Sequence, residues 1–206
     1  MFGKNKNVPE RVTLGSGHLF YKEFEEGSEL PSIEDLCVDD NILGYIQGGA
    51  TLTYKPSFYT ATDDDGTHQK TIITEEEATM KSGIMTFNGK TLDAMCDTAR
   101  VEEDTANHRR IVKVGGLKNM KRKKYVLCFR HEDKVDGNIY VLIVGNNQSG
   151  FELAFAKDKE SVIDAEFKAL PHDDDGTLIR YIEDDKSITA ASANAASVDK
   201  AVKKAE

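Results

Sequence analysis

A mainly β fold is predicted: a β-sandwich or partly closed barrel with one flanking α-helix and one long hairpin loop. Three observations lead to this prediction. Residues 44–59 mix aliphatic and aromatic side chains with threonine, a composition that favours a pleated sheet. Residues 160–170 alternate between polar and apolar side chains, so one face of that strand should pack and the other should contact water. Helical spacing of apolar residues is clear only within residues 91–100.

The longest predicted element is a hairpin. The strand that begins near residue 44 ends at an Asp-Asp-Asp-Gly tract, residues 63–66, and Asp-Gly is a strong turn signal. Apolar and threonine residues resume at residue 71 and continue to residue 87. The two arms predict an extended hairpin whose tip is residues 60–70.

The remaining elements follow from turn residues and local periodicity. A short strand is predicted at residues 19–24. The acidic residues 25–41 are expected to be mostly irregular, although Ser32, Glu34 and Asp35 after Pro31 could open one helical turn or form a loop. Leu92, Met95, Cys96 and Ala99 recur at spacings of three and four, which predicts a helix lying against the sheet. Further strands are predicted at residues 109–114, 123–132, 138–146, 150–157, 160–170 and 177–183.

Charge and hydropathy limit the function classes. The 206 residues carry 27 Lys and Arg against 36 Asp and Glu, a formal net charge of −9, which disfavours general affinity for phosphate backbones. The most apolar run, residues 139–144, is too short to span a bilayer, and residues 1–11 lack the apolar core of a signal peptide. A soluble chain without an export signal or a membrane partner is expected.

One main domain is predicted, at residues 18–185, between an N-terminal arm at residues 1–17 and a C-terminal linker or tail at residues 186–206. The three cysteines are widely spaced and odd in number, which indicates reduced thiols rather than a disulfide framework. They are Cys37, Cys96 and Cys128.

The sequence contains no pattern typical of catalysis or metal binding. The tracts at residues 63–66 and 173–176 lack the first acid and the final glutamate of a calcium loop, so hairpin turns are predicted at both. The five histidines are dispersed and show no zinc spacing. No nucleophile elbow, phosphate-binding loop or dinucleotide fingerprint is present. We expect no enzymatic activity, no cofactor and no metal.

One dense basic cluster stands out against the acidic composition. Such a cluster is most often a solvated connection. In an acidic protein that self-associates, it could instead meet the acidic loops of a neighbouring copy. Its members are Lys118, Lys121, Arg122, Lys123 and Lys124.

The order of elements resembles a known family. A short strand, a long threonine-rich hairpin with an acidic tip and a Gly-Lys-Thr-Leu-Asp-Ala-Met helix precede a β-rich half. Residues 162–171, Val-Ile-Asp-Ala-Glu-Phe-Lys-Ala-Leu-Pro, are followed by Asp-Gly-Thr-Leu at residues 175–178. This closing segment is similar to the end of many tail tube proteins from phages of Gram-positive hosts. Over residues 14–185 the chain resembles the major tail tube proteins of long-tailed bacteriophages.

The resemblance implies a structural virion protein. Six copies would form a ring, and rings would stack into a hollow tube that double-stranded DNA crosses during ejection without specific binding. The implied partners are further copies, a tape-measure protein and the tail initiator and terminator proteins. The implied location is the virion tail, assembled in the host cytoplasm.

The resemblance also suggests roles for particular residues. The hairpin resembles the family's ring-stacking loop, with Tyr54, Phe58, Tyr59, Asp63, Asp64, Asp65 and Lys70 as its candidate residues. An acidic lumen wall would repel DNA and let it slide, and its candidates are Glu75, Glu77, Asp164 and Glu166. The candidate inter-subunit cluster is Lys121, Arg122, Lys123 and Lys124.

Two alternatives remain. The chain could form the tube of a contractile tail or of a type VI-like secretion apparatus, which share this architecture. From a different class, it could be a monomeric OB-like module that binds single-stranded nucleic acid through Tyr54, Tyr59 and the basic cluster.

Overall fold

The computed structural model describes residues 15–134, 137–158 and 160–185. The predicted tail, and the predicted arm as far as residue 14, lie outside these residues. The described helices are α1 (Ile33–Leu36) and α2 (Gly89–Met95), with short 3₁₀ turns at Asp39–Asn41 and Leu117–Asn119. The described strands are β1 (Gly17–Phe24), β2 (Ile42–Gly44), β3 (Ile46–Thr62), β4 (Gln69–Ile84), β5 (Arg100–Asp104), β6 (Arg109–Lys113), β7 (Lys124–His131), β8 (Ile139–Asn147), β9 (Ile163–Ala169) and β10 (Ile179–Glu183).

One large antiparallel sheet organises the fold. Its strand order is β2-β1-β7-β8-β9-β4-β3, with β10 also paired to β8, while β5 and β6 form a separate ribbon. The sheet divides at β8, which pairs with β9 near its end and with β10 along its earlier residues. Because β9 then continues along β4, the β3–β4–β9 half turns away from the β2–β1–β7–β8 half.

The main hydrophobic core lies between these two halves. Met80 and Phe167 from the β4–β9 half are buried in the same cluster as Leu19 of β1 and Leu127 of β7. Met95 of α2 belongs to this cluster as well. Two sheet halves that pack face to face around one core make a β-sandwich. The predicted mainly β fold is thus confirmed.

A second core covers the outer face of β1, β7 and β8. Phe20, Val126 and Leu142 are buried there beneath residues 28–42, called here the covering segment. Leu36 in α1 is fully buried in this core, and the Ser32 side chain caps α1 by accepting a hydrogen bond from the Asp35 backbone. Both faces of β7 and β8 are therefore packed, which explains their continuous apolar sequences.

The helix predicted at residues 91–100 ends earlier, at Met95. Its start is fixed by a capping box between Asn88 and Thr91. Cys96 is extended and a turn follows at residues 97–98, where Asp97 accepts hydrogen bonds from the backbones of Lys121 and Lys123. These tertiary bonds replace the next helical turn, and β5 begins at Arg100 instead.

Two other predictions were wrong. Residues 150–157 form no strand, because Phe151 and Leu153 pack partly against the main core from a loop. The tract at residues 173–176 forms a tight turn, closed by the Gly176 N–H to Asp173 C=O hydrogen bond, but it joins no hairpin, because β9 and β10 both pair with β8 rather than with each other.

Candidate assembly surface

The β3–β4 hairpin extends well beyond the core. Its ladder runs from Ile46 opposite Ile84 to Thr62 opposite Gln69, and burial along β4 stops at Ala78. From Ala78 to Gln69, where the ladder ends, a rise of about 3.3 Å per residue means that the hairpin projects about 30 Å beyond the core. The predicted hairpin is confirmed, and most of its length contributes nothing to the core of this chain.

Four large apolar side chains on the projection are exposed to solvent. Phe58 lies opposite Ile73 and Tyr59 lies opposite Ile72 across the ladder. Their exposed fractions are 61% for Phe58, 52% for Ile73, 59% for Tyr59 and 49% for Ile72. Because neighbouring strand residues point to opposite faces, one pair lies on each face of the hairpin. Both faces therefore carry apolar surface that the single chain leaves unburied.

Asp63 organises the turn at the hairpin tip. Its Oδ1 accepts a hydrogen bond from the His68 backbone at 2.9 Å, and its Oδ2 accepts one from the Thr67 hydroxyl at 2.6 Å. These bonds, led by that of the His68 backbone, lower the pKa of the Asp63 carboxyl. Gly66 has a φ of +69°, which glycine adopts without strain. The other candidate charged residues of the tip region are exposed: Asp64, Asp65 and Lys70.

The outer side of β3 is a free sheet edge. β3 is the last strand in the order, so no other described strand pairs with that side. Free edges present unpaired N–H and C=O groups to a second chain. Pro56 interrupts this row, and a bulge at Gly48 and Gly49, with φ of +78° and +77°, twists its beginning.

The four candidate lumen acids share one face of the sheet. On β4, Glu75 and Glu77 have the same parity as Lys81, which stands opposite Glu166 of β9. Asp164 lies two residues from Glu166 and therefore on the same face. From the sequence alone, the acids of β4 and those of β9 were candidates on two separate faces. Because β4 pairs with β9, all four lie on one continuous face.

Lysines partly neutralise this polar face. Lys81 Nζ lies 2.7 Å from Glu166 Oε2, and Lys168 Nζ lies 3.4 Å from Glu77 Oε1. All four side chains of these pairs are substantially exposed, so each pair contributes little to stability. The face is a mixed, hydrated surface rather than a purely acidic one.

The predicted inter-subunit basic cluster is largely used within the chain. Three of its four candidates form ion pairs with carboxylates of the same subunit: Lys121 with Asp93, Lys123 with Glu23 and Lys124 with Glu26. Arg122 is exposed and has a φ of +55°. Of the four, only Arg122 forms no ion pair within the described part of the chain.

An open cleft of about 670 Å³ lies between residues 27–30 and residues 172–180. Its Asp173 carboxylate accepts a hydrogen bond from the Thr177 backbone at 2.8 Å, and Thr177 lowers the pKa of this carboxyl. No described group of three or more His, Cys, Asp or Glu side chains is placed to hold a metal ion. No described helix is long and apolar enough to cross a membrane.

Two features of the surface escaped the sequence analysis. Ile72 and Ile73 complete the apolar patch, and pairing the predicted hairpin arms about Gly66 would have placed them opposite Tyr59 and Phe58. Contact between Cys37 and Cys128 had no local signal, because 91 positions separate them.

No protein-family model matches the chain, and neither does any curated protein.

Proposed function

We propose that this chain is a structural phage tail tube protein that assembles into hexameric rings, stacked into a hollow tube for genome passage. The observation that carries the proposal is the projecting β3–β4 hairpin, with exposed apolar side chains on both faces. Such surface is unfavourable in a monomer, and a neighbouring copy would bury it.

The size of the apolar patch supports assembly through several contacts. If its four side chains each bury about 100 Å², the contact gains about 10 kcal/mol at about 25 cal/mol per Å². Association costs about 4–15 kcal/mol, so one hairpin contact alone would be weak. Rings stacked in a tube give each subunit several neighbours, and the contacts then reinforce one another.

The free edge of β3 supports ring formation. A second copy that paired along this edge would make a head-to-tail contact, and such contacts close into a ring when the rotation between copies allows it. The bulge and Pro56 restrict pairing to part of the edge, which protects the free subunit from unlimited sheet growth.

The mixed polar face of β4 and β9 suits a tube lumen. Glu77 and Glu166 are paired with lysines, whereas the described structure contains no ion pair of Glu75 or Asp164. A hydrated wall with a small excess of acid would let double-stranded DNA pass without holding its phosphates.

In this proposal the protein acts in the virion tail after assembly in the host cytoplasm, and it needs neither catalysis nor a cofactor. Its partners are further copies, a tape-measure protein and the tail initiator and terminator proteins. The tube of a contractile tail or type VI-like apparatus would use the same surfaces, and a sheath-protein gene beside this one would favour that variant.

The single-strand-binding alternative finds less support. The Tyr54 hydroxyl is hydrogen-bonded to Glu76, two residues from its cross-strand partner Ala78 and on the same face. The Glu76 carboxylate would repel the phosphates of any strand stacked on the tyrosine.

Shortening the hairpin tests its stacking role. Tyr59 and Ile72 are cross-strand partners, so residues 60–71 can be replaced by Asn-Gly, a two-residue turn that fits paired flanking residues. The variant should fold normally and give no tubes by negative-stain electron microscopy. A control, Asp174→Ser with Asp175→Ser, changes an exposed acidic turn outside the hairpin and should still form tubes. Tubes of normal length from the shortened chain would remove the hairpin tip from the stacking contact.

Charge reversal tests the lumen assignment. Glu75→Lys combined with Asp164→Lys should leave tube assembly intact and slow DNA release from particles, because a cationic wall attracts phosphates. Asp174→Lys, an exposed acid outside this face, is the control and should release DNA at the normal rate. Normal release from the double variant would place the face outside the lumen.

A further inference from the structure

Cys37 and Cys128 lie in contact on the outer face of the sheet. Their Sγ atoms are 3.7 Å apart, while a disulfide bond is about 2.0 Å long, so closure requires an approach of about 1.7 Å. Cys128 is fully buried in β7, and Cys37 is partly exposed at the C-terminal end of α1. One thiol is thus accessible to reagents and the other lies directly behind it.

The surroundings hold the two thiols together. Arg130 donates a hydrogen bond to the Cys37 carbonyl at 3.4 Å, and its guanidinium lies 4.8 Å from the centre of the Phe20 ring. Leu36, next to Cys37, is fully buried, and the Asn41 side chain donates to its carbonyl at 2.9 Å. The end of α1 is therefore fixed over β7 before any covalent bond forms.

The chemistry of the pair is asymmetric. The hydrogen bond that Cys37 makes with Cys128 lowers the pKa of the Cys37 thiol, and the nearby Arg130 charge lowers it further. The same hydrogen bond and burial raise the pKa of Cys128. Cys37 is therefore the thiol that reacts first.

We propose that Cys37 and Cys128 form a redox-sensitive dithiol that closes to an intramolecular disulfide on reaction with a low-molecular-weight disulfide such as oxidised glutathione. The Cys37 thiolate attacks one glutathione sulfur, which forms a mixed disulfide and releases one glutathione. Cys128, on losing its proton, attacks the Cys37 sulfur and releases the second glutathione. The two thiols are oxidised, one glutathione disulfide is reduced, and two protons pass to the glutathione thiolates.

The bond would tie the covering segment to the sheet. It closes a long loop, for which the loss of chain entropy in the unfolded state corresponds to a rise in melting temperature of about 10 °C in a protein of this size. A reducing cytoplasm keeps such pairs open, and an oxidising exterior closes them. The inference is independent of tube formation and holds for a monomer as well.

Thiol counting on the full chain tests the dithiol. After incubation with oxidised glutathione and removal of the reagent, the denatured wild-type chain should retain one of its three thiols, with Cys37 and Cys128 joined in one cross-linked peptide. Cys96→Ser is the control and should retain none and gain the same thermal stability. Cys37→Ser should retain Cys128 as a free thiol and show no rise in melting temperature. If Cys37→Ser fails to fold, the peptide map of the wild-type chain still decides.

Three outcomes would overturn the inference. Three thiols could remain after oxidation. Cross-linking could join Cys96 or two chains instead of Cys37 and Cys128. Cys37 could persist as a mixed disulfide with glutathione, which would mean that Cys128 cannot reach it.

Discussion

Replacing Phe58 and Tyr59 by serine should separate assembly from folding. Both side chains are more than half exposed on the hairpin, so their removal leaves no cavity. The free energy of unfolding should change by less than about 1 kcal/mol. In an assembled contact the two side chains would bury about 200 Å² together, which is about 5 kcal/mol at about 25 cal/mol per Å². That loss weakens association by roughly a thousandfold or more.

Sedimentation velocity across a wide concentration range measures the effect on assembly, and thermal unfolding by circular dichroism measures the effect on the fold. Phe155→Ser is the matched control, because Phe155 is 81% exposed and lies outside β3 and β4. The double variant should remain monomeric at concentrations where the wild type and the control assemble. Assembly of the double variant at the wild-type concentration, or an equal defect in the control, would refute the reasoning.

Three further predictions concern the fold. Asn147→Ala should lower the free energy of unfolding in urea by about 2 kcal/mol, since it removes the buried amide that donates to the Met95 carbonyl at 2.8 Å; an unchanged midpoint would contradict this. Phe167→Ala should cost about 3–5 kcal/mol in the same assay, because the side chain is fully buried in the main core, and a loss below 1 kcal/mol would contradict its placement there. The pKa of Asp63 lies below its ordinary value of 3.8 in the folded chain, so its hydrogen bonds persist above that pH and are lost as the pH falls through the lowered pKa. The His68 amide chemical shift should accordingly titrate only below pH 3.8, and a midpoint above it would be inconsistent with the bond.

Local patterns were sufficient to predict most strands. Alternation in β9 correctly assigned Phe167 to the core and Glu166 to the polar face, because strand geometry puts neighbouring side chains on opposite sides. The Asp-Gly signal at Gly66 located the hairpin turn within the correct residues.

Tertiary contacts decided what the sequence could not. The helical pattern continued past Met95, but hydrogen bonds from a distant segment to Asp97 ended the helix. The sheet divides at β8 because β9 and β10 pair with different parts of the same edge of that strand. No local pattern in the sequences of β9 and β10 predicts this sharing.

The sequence likewise predicted one candidate surface better than the other. The sequence placed Phe58 and Tyr59 on the long hairpin, and the structure leaves both exposed because the paired strands extend beyond the core. The basic cluster looked equally available, yet Lys121, Lys123 and Lys124 are paired with carboxylates from remote positions. Ion pairing between distant segments is set by the fold and leaves no spacing signal.

Negative-stain electron microscopy of the purified chain across concentration, with light scattering for mass, tests the proposed function most directly. The account predicts six-fold rings or hollow tubes whose amount rises with concentration. Monomers at every concentration that bind single-stranded DNA in a salt-sensitive way would contradict it.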